Sequence, residues 1–374
     1  MAQTRPRPSL WPSLPFVGAV VALTLSAVSG CRADPDYPKQ PPFDFDSMAT
    51  PVPADFSSEG DLAARYPADI LPLYEMGEAG AFPGVEGVSI AYRAFRVPQE
   101  RGAVVLLPGR AEAMLKYAEI IADIVDEGYS VFAMSHRGQG ESGRMTEDPQ
   151  LGYVEYFQDY VDDLDHFVNA VVRRSEHPRL FLLAHSMGGA VALLYLDEHP
   201  EVWSAVALSA PMLELDTGAF PEAAALSIAS GVCSRGSGKS FAAGQTGFNA
   251  NLAFDDADNT VTHSRARFDL KMATLREHPE LALGGVSYRW LCEALQATSL
   301  VQTLGKYSNV PTLLFQAGSD KLVRPGGQNR YCNEAARCQK VVYGDSYHEV
   351  LMERDAIRND ALTKAIKFYR AWGG

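Results

Sequence analysis

The sequence predicts an α/β protein with a mostly parallel central sheet flanked by helices and an inserted, mainly helical cap. Three observations predict it. Apolar runs of strand length alternate with helical patterns over most of the chain, which sets strands in parallel and makes the helices crossovers. One of these apolar runs passes directly into a small-residue turn at Ser186 and then into a run of helix formers. The alternation lapses for about a hundred residues between Pro211 and Leu304 and then resumes, the mark of an insertion.

The elements follow in order. Val88 to Val97 and Ala103 to Leu107 read as strands, Leu115 to Glu127 as a helix, and Ser130 to Met134 as the next strand. A helix around Tyr156 to Arg174 precedes the strand Leu180 to Ala184, the helix Met187 to Glu198 and the strand Ala205 to Ser209. Residues 211–304 hold helical segments and the Gly/Ser-rich stretch Cys233-Ser234-Arg235-Gly236-Ser237-Gly238, with no buried strand pattern. Thr312 to Ala317 then reads as a strand, Gly327 to Ala336 as a helix, Lys340 to Tyr343 as a strand, and Ile357 to Trp372 as a terminal helix.

Composition narrows the function classes. The chain has 374 residues and is 47% apolar, enough core for one large domain or two ordinary ones. Its formal charge of -13, without a local basic patch, argues against nucleic acid, whose binding relies on Lys and Arg neutralising phosphates.

The first thirty-one residues read as an export signal: Arg5 and Arg7, an uncharged apolar stretch from Leu14 to Val28, then Ser29, Gly30 and Cys31. As an uncleaved anchor the stretch is short, about fifteen residues against the roughly twenty that span a bilayer. Val28-Ser29-Gly30-Cys31 resembles the lipobox of bacterial lipoproteins. The resemblance implies that Cys31 is acylated and becomes the mature N-terminus; plain secretion with a chance cysteine is the alternative. The expected location is the bacterial cell envelope, lipid-anchored and facing the periplasm or the exterior. Arg32 follows the cysteine, not the Asp linked to inner-membrane retention in enterobacteria, so the expectation extends to the outer membrane. Residues 32–60, rich in Pro and Asp and without apolar periodicity, read as an extended tether, and residues 61–374 as the folded domain.

Four cysteines remain in a compartment that tolerates disulfides. Cys332 and Cys338 are near enough in sequence to close a small loop, which leaves Cys233 and Cys292 as a second pair. Structural bridges and buried thiols both fit. The spacing matches no tetrahedral metal pattern and there is no Cys-x-x-Cys.

The chemistry centres on Ser186. The strand Leu180-Phe181-Leu182-Leu183 runs into Ala184-His185-Ser186-Met187-Gly188-Gly189 and then a helix, the context of a nucleophile elbow. Such a turn strains the serine backbone and requires small neighbours, which Gly188 and Gly189 supply. Ala184 stands where the usual motif has Gly, and as the smallest residue with a Cβ it keeps the packing open. A serine hydroxyl needs a base and a carboxylate to orient that base. In the chain order nucleophile, acid, base these are Asp320, just past the strand Thr312 to Ala317, and His348, past the next strand. Asp345, three residues before His348, competes as the acid but is better placed to cap or meet solvent. His185 should point away from the Ser186 hydroxyl, and His166, His177, His199 and His278 read as surface residues. Oxyanion donors are expected from Met187 N–H, directly after the nucleophile, and from Pro108-Gly109-Arg110, where Arg110 N–H is best placed. Apart from that role, Gly109 fits a plain turn and Arg110 a surface charge.

With these pieces placed, the chain resembles the bacterial lysophospholipases that belong with the monoacylglycerol lipases among α/β-hydrolases. The matching stretches are Leu107-Pro108-Gly109-Arg110 with Glu112 and Lys116-Tyr117, the run Ser135-His136-Arg137-Gly138-Gln139-Gly140-Glu141-Ser142-Gly143-Arg144, and Asp159-Tyr160-Val161-Asp162-Asp163-Leu164. Ala184 to Ala190, Thr262-His263-Ser264-Arg265 and Tyr347-His348-Glu349-Val350-Leu351 match as well. The resemblance implies a triad of Ser186, Asp320 and His348, oxyanion donors at Arg110 and Met187, hydrolysis of a lipid ester through an acyl-enzyme, and no metal or organic cofactor. It departs at Ser135, where the family usually has Asp, implying a looser loop. Phe220, Leu226, Phe241, Phe248, Leu252, Phe254 and Trp290 are candidates to shelter an acyl chain or simply to pack the cap, and His263 and Arg265 to hold the cap or meet a headgroup. A short-chain esterase, an aminopeptidase of the same fold, and a non-catalytic lipoprotein that binds a lipid or a partner are the alternatives.

Overall fold

The computed structural model describes residues 35, 37–46, 56–173, 176–255 and 259–373; the leader and Cys31 lie outside them. Among these residues one sheet carries eight strands: β1 (Glu78–Pro83), β2 (Ser89–Phe95), β3 (Ala103–Leu107), β4 (Ser130–Met134), β5 (Leu180–His185), β6 (Ala205–Ser209), β7 (Thr312–Ala317) and β8 (Cys338–Tyr343). Their order is β1-β2-β4-β3-β5-β6-β7-β8. The β1/β2 and β2/β4 pairs are antiparallel, and every later neighbour is parallel.

The inner strands are apolar throughout because both faces are covered. Val105, Leu107, Leu182, Ala184, Val206 and Leu208 face one layer, with α4 (Gln158–Phe167), α5 (Met187–Glu198) and α8 (Tyr288–Val301). Val104, Leu106, Phe181, Leu183, Ala205 and Ala207 face the other, with α3 (Ala118–Asp126) and α10 (Asp355–Trp372). The short α1 (Leu62–Arg65) and α2 (Leu71–Met76) precede β1, and α9 (Pro325–Glu334) joins β7 to β8.

Several elements differ from the sequence reading for local reasons. The helix expected from Leu115 opens as a 3-10 turn, Met114–Tyr117, before α3, and the one expected to reach Arg174 passes after Phe167 into a π-turn, Val168–Val172. β1 was not foreseen, since Glu78-Ala79-Gly80-Ala81-Phe82-Pro83 buries only Phe82 and has no strand-like apolar run. The tether expectation also changes where it is described: Gln40 N–H donates to Ala336 O (2.9 Å), Phe43 N–H to Gln339 Oε1 (2.7 Å), and the Phe43 ring packs edge-on against Phe368. Apolar anchors and backbone hydrogen bonds override the Pro-rich composition there.

Between β6 and β7 the described residues contribute α6 (Glu222–Ser234), α7 (Arg265–Glu277) and α8 but no strand of the sheet. α6 packs along α8, whose N-cap Ser287 Oγ accepts from Trp290 N–H. α7 is tied to the body by Arg267, which donates to both carboxylate oxygens of Glu119 (2.9 Å each), to Asp355 (2.8 Å) and to Glu353 O (2.7 Å). Cys332 and Cys338 form a disulfide joining α9 to β8, whereas Cys233 and Cys292 are free thiols and form no second bridge.

Candidate active site

β5 delivers the chain to Ser186, whose φ of 51° lies in the left-handed region that side chains other than glycine rarely adopt. The strain is held by hydrogen bonds on both sides: Ser186 N–H donates to Ser209 O (3.0 Å), and Ser186 O accepts from Met212 N–H and Gly189 N–H (2.9 Å each). The two glycines that follow are sterically required. A Cβ at Gly188 would lie 2.5 Å from Pro108 O, and one at Gly189 2.6 Å from the Pro211 ring.

Three side chains from three loops meet at this turn. Asp320 Oδ2 lies 2.7 Å from His348 Nδ1, and His348 Nε2 lies 2.8 Å from Ser186 Oγ. A carboxylate only accepts, so Nδ1 carries the imidazole proton and Nε2 is left to accept from the hydroxyl. The second oxygen of Asp320 accepts from Leu322 N–H (2.8 Å) and Val323 N–H (3.0 Å). Burial alone would raise the Asp320 carboxyl, but the His348 hydrogen bond and charge, together with these N–H groups, hold it below its ordinary value. Asp345 is exposed and stands outside this contact.

His185 Nδ1–H donates to Ser209 O (3.0 Å) and does not bond Ser186, although its ring lies beside that of His348, 4.8 Å between centroids. Burial pushes its pKa down to about 4, so it is neutral at neutral pH. His177 corrects the surface expectation. Its side chain is buried between Glu100, the Val172 carbonyl and the Phe132 ring.

Arg110 N–H and Met187 N–H border the Ser186 turn, and neither donates to a protein acceptor among the described residues, in contrast with Gly109 N–H, which is taken by Glu112. The loop carrying Arg110 is held by groups to which the sequence reading assigned no role. Glu112 accepts from Gly109 N–H and the Tyr117 hydroxyl (2.6 Å), and Gln139 Nε2 donates to Gly109 O (2.7 Å) and Glu112 O (3.1 Å). Gln139 in turn sits in a loop pinned by buried Arg137, which donates to Asp163 (2.6 and 2.7 Å) and Asp159 (3.2 Å). Residue type alone hinted at these roles, because buried charges need partners, but the partners are distant in sequence. Ser135 does not loosen this loop. Its hydroxyl donates to Glu141, its carbonyl accepts from Ser142 Oγ (2.7 Å), and a Cβ at Gly140 would lie 2.5 Å from its hydroxyl, so the small side chain fits the turn.

Above Ser186 and His348 opens a cavity of about 670 Å³. Its walls are largely apolar and come from the segment between β6 and β7, including Phe220, Ile228, Phe248, Leu252, Met272 and Trp290. Of the other candidates for an acyl shelter, Leu226 and Phe241 do not line it, and Phe254 packs edge-on against Phe268 instead. His263 stacks on Tyr347 (3.8 Å) and bonds Glu353, while Arg265 is exposed and pairs with Asp269; neither reaches the cavity. At its polar end Lys116 Nζ bridges Glu112 (2.5 Å) and Glu349 (2.7 Å). Burial would raise the Glu349 carboxyl, but Lys116 and Lys271 hold it well below the usual carboxylate range. Among the described residues no cluster of His, Cys, Asp and Glu is arranged to hold a metal ion.

A strained serine, a base, an orienting acid and two open N–H donors under an apolar cavity can carry out acyl transfer. The family described as serine aminopeptidase, S33, matches residues 98–355. Lysophospholipase L2 of Escherichia coli (strain K12) is 34% identical over 318 residues, 83% of this chain and 93% of that protein. Monoglyceride lipase of Rattus norvegicus is 27% identical over 258 residues, 68% of this chain and 77% of that protein. Among solved structures, a soluble variant of monoglyceride lipase from Saccharomyces cerevisiae in complex with a substrate analog matches with a TM-score of 0.62 at 20% identity, covering 79% of this chain and 95% of that one. At that identity the likeness speaks for the fold.

Proposed function

The chain belongs to the serine aminopeptidase family of α/β-hydrolases, and from that premise we propose that it is a serine hydrolase of lipid carboxylic esters, with lysophospholipids as its main substrates and monoacylglycerols as the nearest alternative. The observation that carries the reading is His348, placed within hydrogen-bond reach of both Ser186 Oγ and Asp320 at the floor of an apolar cavity. Ser186 Oγ attacks the ester carbonyl while His348 Nε2 takes its proton, and Asp320 steadies the imidazolium. The carbonyl oxygen, now an oxyanion, accepts from Arg110 N–H and Met187 N–H. Collapse expels the alcohol, protonated by His348, and water then releases the fatty acid by the same steps in reverse order.

Peptide hydrolysis from an N-terminus would call for a free carboxylate to hold the substrate ammonium. The cavity's carboxylates are already engaged: Lys116 bridges Glu112 and Glu349, and Asp216 pairs with Arg324 (3.0 Å). Leader composition and the lipobox-like Val28-Ser29-Gly30-Cys31 support a further reading, that Cys31 carries a lipid anchor holding the enzyme at a membrane of the bacterial envelope.

The wild-type protein should label with a fluorophosphonate and release fatty acid from lysophosphatidylcholine. Ser186→Ala should abolish labelling and lower the rate by about 10⁴-fold or more. Fatty-acid release that survives the substitution would sink the assignment.

A further inference from the structure

The proposed triad uses only part of the cavity's polar lining. Of the cations there, Lys116 is neutralised by Glu112 and Glu349, and Lys271 stands 3.6 Å from Glu349. Arg110 differs. Among the described residues it makes no ion pair: Nη1 donates to Gly284 O (2.9 Å), and the remaining guanidinium donors meet no protein acceptor. Burial pushes its pKa down, and the Glu112 carboxylate, already paired with Lys116, opposes this only from a distance; a guanidinium stays charged in proteins, so a cation stands in a largely apolar cavity with no carboxylate in contact among the described residues. Its guanidinium carbon lies 5.7 Å from the centroid of the Trp290 ring. The Trp290 Nε1–H is buried beside the Tyr160 hydroxyl, which does not line the cavity, so the indole offers the cavity its ring and not its donor. The Arg110 guanidinium, bonded only to Gly284 O among the described residues, therefore presents further donors without a protein acceptor, an arrangement that is costly until an anion occupies it.

Chain geometry says which anion. The backbone N–H of Arg110 is a proposed oxyanion donor, so its side chain starts beside the reacting carbonyl, and it lines the same cavity with its guanidinium near Trp290 and Gly284. In a lysophospholipid the phosphodiester lies one glycerol unit from the scissile ester, a separation of the same order as the length of an arginine side chain. The flat guanidinium presents paired N–H donors that match phosphate oxygens, and the Trp290 ring lies within cation–π range of it.

We propose that the Arg110 side chain, backed by Trp290, is the subsite for the headgroup phosphodiester of a lysophospholipid. This rests on the reading of the protein as a lipid ester hydrolase. A monoacylglycerol has no group to pair with Arg110, so the subsite sets the preference between the two substrate types.

Kinetics of wild type, Arg110→Gln and Arg110→Lys on lysophosphatidylcholine and on a monoacylglycerol of the same acyl chain test it. In Arg110→Gln the ratio of kcat/KM for the phosphodiester over the neutral ester should fall at least about tenfold, chiefly through KM, with Arg110→Lys recovering part of it. Equal losses on both esters would overturn the subsite and leave Arg110 as a prop for the Gly284 loop. A binding arm separates the subsite from the activity: decylphosphocholine and inorganic phosphate are titrated into Ser186→Ala protein with and without Arg110→Gln. Tighter binding of the phosphocholine than of decyl maltoside, lost on Arg110→Gln, supports the subsite even if wild-type protein hydrolyses neither ester, a result that would remove the functional reading alone. Equal affinity for the two decyl compounds, or for inorganic phosphate and decylphosphocholine, would overturn it.

Discussion

At the scale of single residues, the site depends on groups kept in unusual states by their surroundings. His185 is the clearest. Burial lowers its pKa from 6.5 to about 4, so between those values the unfolded chain binds a proton that the folded chain refuses. Its contribution is intact above pH 6.5 and is lost as the pH falls towards 4, reaching about 3 kcal/mol. Urea denaturation at pH 7.5 and pH 4.5 should show His185→Gln losing roughly 2 to 3 kcal/mol less than wild type over that interval. An identical pH dependence in the two proteins would mean that His185 is not held neutral. The sequence marked Ser186, Asp320 and His348 as candidates through their strand-end context and chain order, and the structure brings them within hydrogen-bond range. It did not mark roles for Gln139 or Glu112, because nothing beside them in the chain shows that they brace Gly109.

At the scale of elements, the inner strands and crossover helices were legible because continuous apolar runs declare burial on both sides. β1 was not, since an edge strand with one buried side chain leaves little pattern. The attachment of α7 was also illegible. Sequence similarity drew attention to His263 and Arg265, yet Arg267 is the residue that is buried and clamped to Glu119 and Asp355. Arg267→Ala leaves those carboxylates short of a partner and should cost about 3 kcal/mol, while exposed Arg265→Ala should stay within about 0.5 kcal/mol. Thermal or urea unfolding of the two variants decides this, and comparable losses would refute the clamp.

At the scale of the whole molecule, the proposed anchor and the folded body separate cleanly in sequence. Wild-type protein expressed in a bacterium should partition with membranes and incorporate labelled palmitate, and Cys31→Ser should abolish the labelling; a labelled serine variant would refute acylation at Cys31. The body beginning near Tyr37 should hold its first ten residues in place, since Lys39, Gln40 and Phe43 bond the α9–β8 edge. The sequence by itself determined the inner strands and crossover helices, and it marked where an insertion is expected and which residues are candidates for acyl transfer. These follow from patterns between near neighbours in the chain: apolar periodicity, a strand meeting a helix at a serine, loops at strand ends. Only the tertiary structure decided what surrounds them. It set Ser186 beside His348 across 162 positions, closed an apolar cavity above them, and left Arg110 on its wall with no ion pair among the described residues. Such distances depend on how layers pack, and packing is a property of side chains far apart in the chain, which no local pattern records.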